Sequence, residues 1–386
     1  MLLSQLDRPA EAQPACLREA TEAKELLLAC GQEGQPTWRQ AAEGLVAPPQ
    51  PEDAEAGEWR HGWQFTACAV LETYTRHNEI LPMATPQQQA VIRSQSGPSA
   101  GKWLTTTPKS PQLTLLPLRM QVSLRYRLLY KLPITRLRCS CRARLDPYGY
   151  HWAACPRTGR LRLRAKPLER TWAVVFREAG ARVQTDVLLR DTNLDNLAAN
   201  DRRQLEIVAT GLPLYRGVPL GVDCTMLAPL HADGRPWVNA DNGLGDAATT
   251  DGVAIARGER DKARTYPDLV NNNRLRLTTL ACETGGKWST TCLKVIRLLA
   301  KAKARQAPEA RRARVAAAWA SRWWSLLSVA ARNTLAATLA DEKPRTLDGF
   351  DGEEPLWHEV LLDAALEPAQ LTEEIDNFLE VAVVQA

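Results

Sequence analysis

Four residues with metal-binding chemistry stand close together in this chain: Cys139, Cys141, His151 and Cys155. Three thiolates and one imidazole form a donor set that Zn²⁺ takes in a closed tetrahedral site. Asp146-Pro-Tyr-Gly149 supplies turn chemistry between the two halves of the set. The single residue between Cys139 and Cys141 is tighter than the usual two to four. Zinc contributes roughly 10–16 kcal/mol to a finger peptide, against about 5–15 kcal/mol for the net stability of a domain. A bound zinc therefore decides whether such a stretch folds. The alternative is four side chains that merely pack.

A second group is made of carboxylates. Glu206 lies in Gln204-Leu-Glu-Ile-Val-Ala209 and Asp223 in Leu220-Gly-Val-Asp-Cys-Thr-Met226. Both segments alternate with a strand period, which predicts that Leu205, Ile207 and Ala209 face one way and Glu206 the other. Asp223 interrupts an otherwise apolar strand. Two carboxylates about 5 Å apart repel by roughly 3 kcal/mol at an effective dielectric of about 20, and a cation between them turns that repulsion into attraction. Mg²⁺ prefers such oxygen ligands and keeps several waters. It can activate water and neutralise the charge that builds up in phosphodiester hydrolysis. Lys262 is the candidate amine for orienting water or stabilising charge. Glu259 stands one turn away, Glu169 on the preceding helix, and Glu283 at the end of the last strand; each is a candidate to complete the site. Glu259 and Lys262 equally read as a solvated i,i+3 ion pair.

The elements that must position these groups are legible in order. Pro167–Ala179 carries Leu168, Trp172, Val175 and Phe176 on one helical face. Arg182–Leu189, Gln204–Ala209, Leu220–Leu227 and Leu275–Cys282 read as strands. Val253–Tyr266, Ser289–Ala304 and Arg311–Ala340 read as helices. This is an α/β core of a mixed sheet flanked by helices. Trp319, Trp323, Leu326 and Ala330 follow helical spacing and are predicted to be core. Across the 386 residues the expected organisation is a poorly ordered or partly helical N-terminal segment over 1–57, a helical linker over 58–136, and a knuckle over 137–160. The α/β domain follows over 161–306, then a helix over 307–342 and an acidic tail over 343–386.

Composition narrows the function class. The net charge of +5 says little by itself, but its distribution is uneven. Arg157, Arg160, Arg162, Arg164, Lys166 and Arg170 crowd one stretch and form the candidate phosphate-binding run. A second basic run spans Lys294–Arg314, and the C-terminal end is acidic. Nine scattered cysteines do not form a disulfide framework. No apolar run spans a membrane, and no signal segment is evident. These features predict an intracellular protein with no membrane and no small-molecule substrate. Gly243-x-Gly245-x-x-Ala248 follows a loop rather than a strand, and Gly286-Lys287-Trp288 lacks the rest of a phosphate loop. The five histidines do not cluster, which argues against a histidine-based hydrolase.

On these residues Cys139–Trp324 resembles the C-terminal region of non-LTR retrotransposon proteins. Those carry a Cys-Cys-His-Cys knuckle before a restriction-like, PD-(D/E)XK-type endonuclease, often with the lysine displaced into the following helix. The knuckle matches at Cys139, Cys141, His151 and Cys155. Val222-Asp-Cys-Thr225 resembles the second metal strand, with Thr225 where a lysine would stand. Arg260-Asp-Lys-Ala-Arg-Thr-Tyr266 resembles the helix with the displaced lysine. Glu206 replaces the usual aspartate after proline, and there is no Tyr-x-Asp-Asp, so no reverse transcription is expected. The resemblance implies a restriction-endonuclease-like fold, zinc and magnesium as cofactors, and DNA as partner, with element RNA as a second candidate. It also implies a nuclear location and a nicking activity. The rival readings are a non-catalytic nucleic-acid-binding module and a decayed fragment that keeps the fold without cutting.

Overall fold

A computed structural model of the chain describes residues 15–31, residues 63–342 apart from 134–135, 193, 196, 240–244 and 271, and Val360. Apart from Val360, the expected acidic tail over 343–386 lies outside the described residues. Two compact units are present, Met1–Ala84 and Thr85–Ala386. The first contains helices α1 (Ala15–Ala29) and α2 (Trp63–Tyr74), the latter continued by a wider turn over Thr75–Ile80.

The second unit begins at α3 (Pro86–Arg93). Thr85 and Gln88 cap it reciprocally, each side chain accepting the other's backbone N–H, and Pro86 takes the first turn, where its missing N–H costs nothing. Helix α4 (Pro117–Arg127) leads toward the cysteine-rich stretch, which closes with the short α5 (Tyr150–Ala154). Helix α6 (Arg160–Glu178) begins two turns earlier than its apolar spacing indicates and contains Pro167. Arg164 accounts for part of that extension. It is fully buried and donates to the carbonyls of Ala153 and Met226, tying the helix start to β3.

The sheet has four strands in the order β1 (Arg182–Leu188), β2 (Gln204–Thr210), β3 (Leu220–Leu227), β4 (Arg276–Glu283). The first three are antiparallel neighbours and β4 runs parallel to β3. That parallel step needs a crossover, supplied by α7 (Val253–Thr265). Helices α8 (Thr290–Ala304) and α9 (Arg312–Leu339) complete the unit, with α9 packed on α6, α8 and α4. The main core joins Leu168, Trp172, Val175 and Phe176 of α6 to Ile207, Ala209, Val222 and Cys224 of the sheet and to Trp319, Trp323 and Trp324 of α9. Truncating any one of these tryptophans typically costs about 3–5 kcal/mol, so α9 is part of the domain's core.

A smaller cluster of Leu189, Leu205, Val208, Tyr266, Leu269 and Leu275 forms apart from it. Strict alternation predicts Leu205 beside Ile207 and Ala209; it packs with Val208 instead. The pairing with β1 keeps one register on both sides of Glu206 (Thr185–Ile207 and Val187–Leu205), so the change of packing partner at Leu205 is a local irregularity beside Glu206 and not a shift of the strand.

Candidate functional site

The β2–β3 pairing ends at Ile207–Val222, and continuing that register one step sets Glu206 against Asp223. There the ladder gives way to a side chain: Glu206 Oε2 accepts the backbone N–H of Cys224 at 2.5 Å. Glu206 thus meets the backbone of β3 through its side chain, instead of sharing an open sheet face with Asp223. Asp223 is 2% exposed. Lys262 of α7 brings Nζ to 2.5 Å from Asp223 Oδ1. That ammonium is the charge partner of a buried carboxylate oxygen. Glu169, buried on α6, lies close enough to Glu206 to disfavour its charge. Burial, with Asp223 and Glu169 beside it, pushes the Glu206 carboxyl up to about 9, against the opposing pull of the Cys224 amide and Lys262. The buried Asp223 and Glu169 and the half-buried Glu206 offer oxygen donors of the class that hard divalent cations take, but among the described residues only the donors of the cysteine-rich stretch are gathered within ligand reach of one another.

Tyr266 belongs to the same place. Its hydroxyl donates to the Gln204 carbonyl at 2.6 Å, and burial and the nearby Asp223 hold its proton on. Tyr266 is the residue that ends α7, its backbone N–H on the Lys262 carbonyl, so the last turn of one helix delivers both side chains.

Two predicted members are not brought to this cluster. Glu283 stands opposite Leu227, whereas Asp223 stands opposite Thr279. Four strand residues separate the two positions by about 13 Å. Glu283 accepts the amides of Ala254 and Ile255 at the start of α7, where a buried carboxylate meets the positive end of the helix. Burial pushes it up to about 7, although Lys287 opposes this. Glu259 points toward α8, where it accepts from Thr291 at 3.4 Å, and burial raises its carboxyl. It is neither an ion-pair partner of Lys262 nor a neighbour of Asp223, because residues three apart on a helix can diverge when each finds its own partner.

The basic run is also divided by the fold. Arg157, Arg162 and Arg170 are exposed. Arg164 is a core residue, and burial lowers its guanidinium to about 10; it is withdrawn as a phosphate contact. Arg160 pairs with Asp341, donates to Thr338 and lies over the Trp152 ring. Lys166 is held at 2.7 Å by Glu169 and at 2.8 Å by Asp186. No signal in the sequence marks Asp186, an exposed residue in an ordinary strand segment.

The second centre is the knuckle. Residues 137–145 form a hairpin in which Cys139 donates to the Ala143 carbonyl and Leu145 to that of Leu137. Arg142 takes a left-handed φ of 74° to close it. Asp146 then organises the second half: its carboxylate accepts the amides of Tyr148, Tyr150 and His151. Gly149, at φ 81°, is needed because a Cβ there would lie 2.7 Å from both Leu132 and Leu339. The donor atoms of Cys139, Cys141, His151 and Cys155 all fall within 4.8 Å of one another. Sulfurs on one tetrahedral zinc sit about 3.8 Å apart, so the cluster can hold a metal ion such as zinc with small adjustment. His151 donates Nδ1–H to the Ala232 carbonyl at 2.7 Å if Nε2 faces the cysteines, 3.2 Å from Cys141 Sγ. This is the outer contact that fixes a ligand histidine's tautomer. Burial works against the Cys139 thiolate, but hydrogen bonds from Cys141, His151 and Ser140 bring it down to about 6. A cleft of about 770 Å³ opens beside the cluster, rimmed by Arg144, Arg157 and Tyr148.

Among the described residues no helix is long and apolar enough to cross a membrane. No family model and no curated protein matches the chain.

Proposed function

We propose that this chain is a Mg²⁺-dependent DNA endonuclease with a restriction-endonuclease-like core and a zinc knuckle at its flank, derived from a retroelement. The carrying observation is the convergence of Glu206 and Asp223 at the point where the β2–β3 ladder opens, with Lys262 at 2.5 Å from Asp223. The mixed four-stranded sheet flanked by helices supports this reading, since it is the frame such a core requires. Glu206, Asp223 and Glu169 would hold the cation. When bound, that ion supplies water activation and charge neutralisation.

The chain's own residues do the rest. The Cys224 amide fixes the Glu206 carboxylate in the opening. Lys262 presents a positive charge at the rim of the carboxylates, where charge develops on a phosphate being cleaved. Tyr266 braces the start of β2 by bonding Gln204, which keeps the opening at a fixed width. The knuckle would hold its metal on Cys139, Cys141, His151 and Cys155, and the exposed Arg157, Arg162 and Arg170 offer contacts to phosphates. The proposed location is nuclear, as the resemblance implies.

Purified protein should nick supercoiled plasmid with Mg²⁺ and not with EDTA. Asp223→Asn should reduce nicking by roughly 10²-fold or more, while DNA binding in EDTA stays close to that of the wild type. Equal nicking by Asp223→Asn would exclude the assigned site. A wild-type protein that binds DNA but never nicks would leave the nucleic-acid-binding module as the function.

A further inference from the structure

Asp186 is a strained residue in an exposed place. Its φ of 56° falls inside β1, and the pairing of β1 with β2 is recorded at Thr185–Ile207 and Val187–Leu205 but not between them. That register sets Asp186 opposite Glu206, so Asp186, Glu206 and Asp223 occupy one row across three strands. An aspartate tolerates the left-handed region better than most residues, yet the conformation is still unfavourable inside a strand.

Among the described residues, the return on that strain is the ion pair to Lys166. Asp186 is 57% exposed and Lys166 35% exposed, and a pair so open to water adds little stability. The same ammonium, however, reaches the buried Oε2 of Glu169 at 2.7 Å. Lys166 thus joins a strained, exposed anchor to a buried carboxylate beside Glu206. Strain of this kind concentrates where geometry serves a site.

We propose that Lys166, anchored by Asp186, is a positioning residue that holds Glu169 as the third carboxylate of the divalent-cation site; this rests on the metal reading given above. Lys166 touches neither Glu206 nor Asp223 in any recorded contact, so it acts through Glu169. Outer contacts to metal-holding side chains commonly matter about 10–100-fold in metal affinity. A helix-surface lysine that only decorates α6 would matter not at all.

The test uses the full chain and Mg²⁺ itself, with two readouts: the Mg²⁺-induced rise in Tm, and the Mg²⁺ concentration giving half-maximal nicking. Lys166→Met should raise the half-saturating Mg²⁺ concentration about tenfold in both. Lys166→Arg, which can still bridge two carboxylates, should restore most of it. Asp186→Gly relieves the backbone strain, so it should raise the metal-free Tm while weakening the Mg²⁺ response in the same direction as Lys166→Met. A merely structural role would not move stability and metal response in opposite senses. Wild-type Mg²⁺ dependence in Lys166→Met, or in a folded Asp186→Gly, would overturn the assignment while leaving the cation site intact. A wild-type protein whose Tm ignores Mg²⁺ would remove the cation site and this role together.

Discussion

Asp223 and Glu283 are both acids buried at the sheet, 2% and 3% exposed, yet their surroundings give them different tasks. Asp223 has the Lys262 ammonium at one oxygen; Glu283 is satisfied by two helix amides. Satisfaction of that kind is structural, and it carries a pH signature. The Glu283 carboxyl is raised by burial from an ordinary 4.5 to about 7. The folded state therefore holds this proton more tightly than the unfolded chain does. Its contribution is fully present below about pH 4.5 and is lost as pH rises through about 7, a decline of up to about 3 kcal/mol. Glu206 is raised too and acts with the same sign. Glu283→Gln should therefore reduce, without abolishing, the fall in urea-unfolding free energy between about pH 5 and pH 8. An undiminished fall in that variant would contradict the placement of Glu283. The identities of Asp223 and Lys262 were readable because an acid in an apolar strand and a lysine on the next helix are unusual together. The fate of Glu283 was not, because only the strand register shows it four positions from the site.

At the scale of elements, the order of helices and strands was legible almost to the residue: β3 covers Leu220–Leu227 as its alternation predicts, and α8 starts where Ser289 caps it. What the pattern did not give was the irregularity beside Glu206, where Leu205 changes packing partners while the register with β1 holds. Tertiary packing on two different clusters decides it. The start of α6 was likewise hidden, because its first turns are basic and one of the arginines turns inward. A close approach elsewhere gives a direct check on the fold. A Cβ on Gly285 would lie 2.2 Å from the carbonyl oxygen of Ser94, which also accepts the Lys287 amide. Gly285→Ala should cost at least about 1–3 kcal/mol, measured by chemical denaturation; an unchanged midpoint would mean the loop after α3 does not dock there. The knuckle makes a sharper prediction. We expect one zinc per purified chain by elemental analysis and its loss in Cys139→Ser, with a lower Tm. Protein free of zinc but equally stable would show that the cluster only packs.

For the whole molecule, the distribution of charge matters more than its sum. Lys303 is buried over Trp319, whereas Lys294, Lys301, Arg305, Arg311, Arg312 and Arg314 remain exposed beyond the first basic run. If DNA is held through phosphates, log affinity should fall steeply with log salt, and replacing Arg157 and Arg162 by Ala should lower the slope by about 2. A salt-insensitive affinity would point away from a polyanion partner. The proposed cutting rests on a narrower statement: Glu206 and Asp223, from antiparallel neighbours that part at this point, share one ion. Crystals grown with Mn²⁺ test it most directly through anomalous scattering. The account predicts a peak at coordination distance from carboxylate oxygens of both Glu206 and Asp223, with Glu169 close by. Ordered density for both side chains with no peak between them, or a peak held elsewhere, would contradict it.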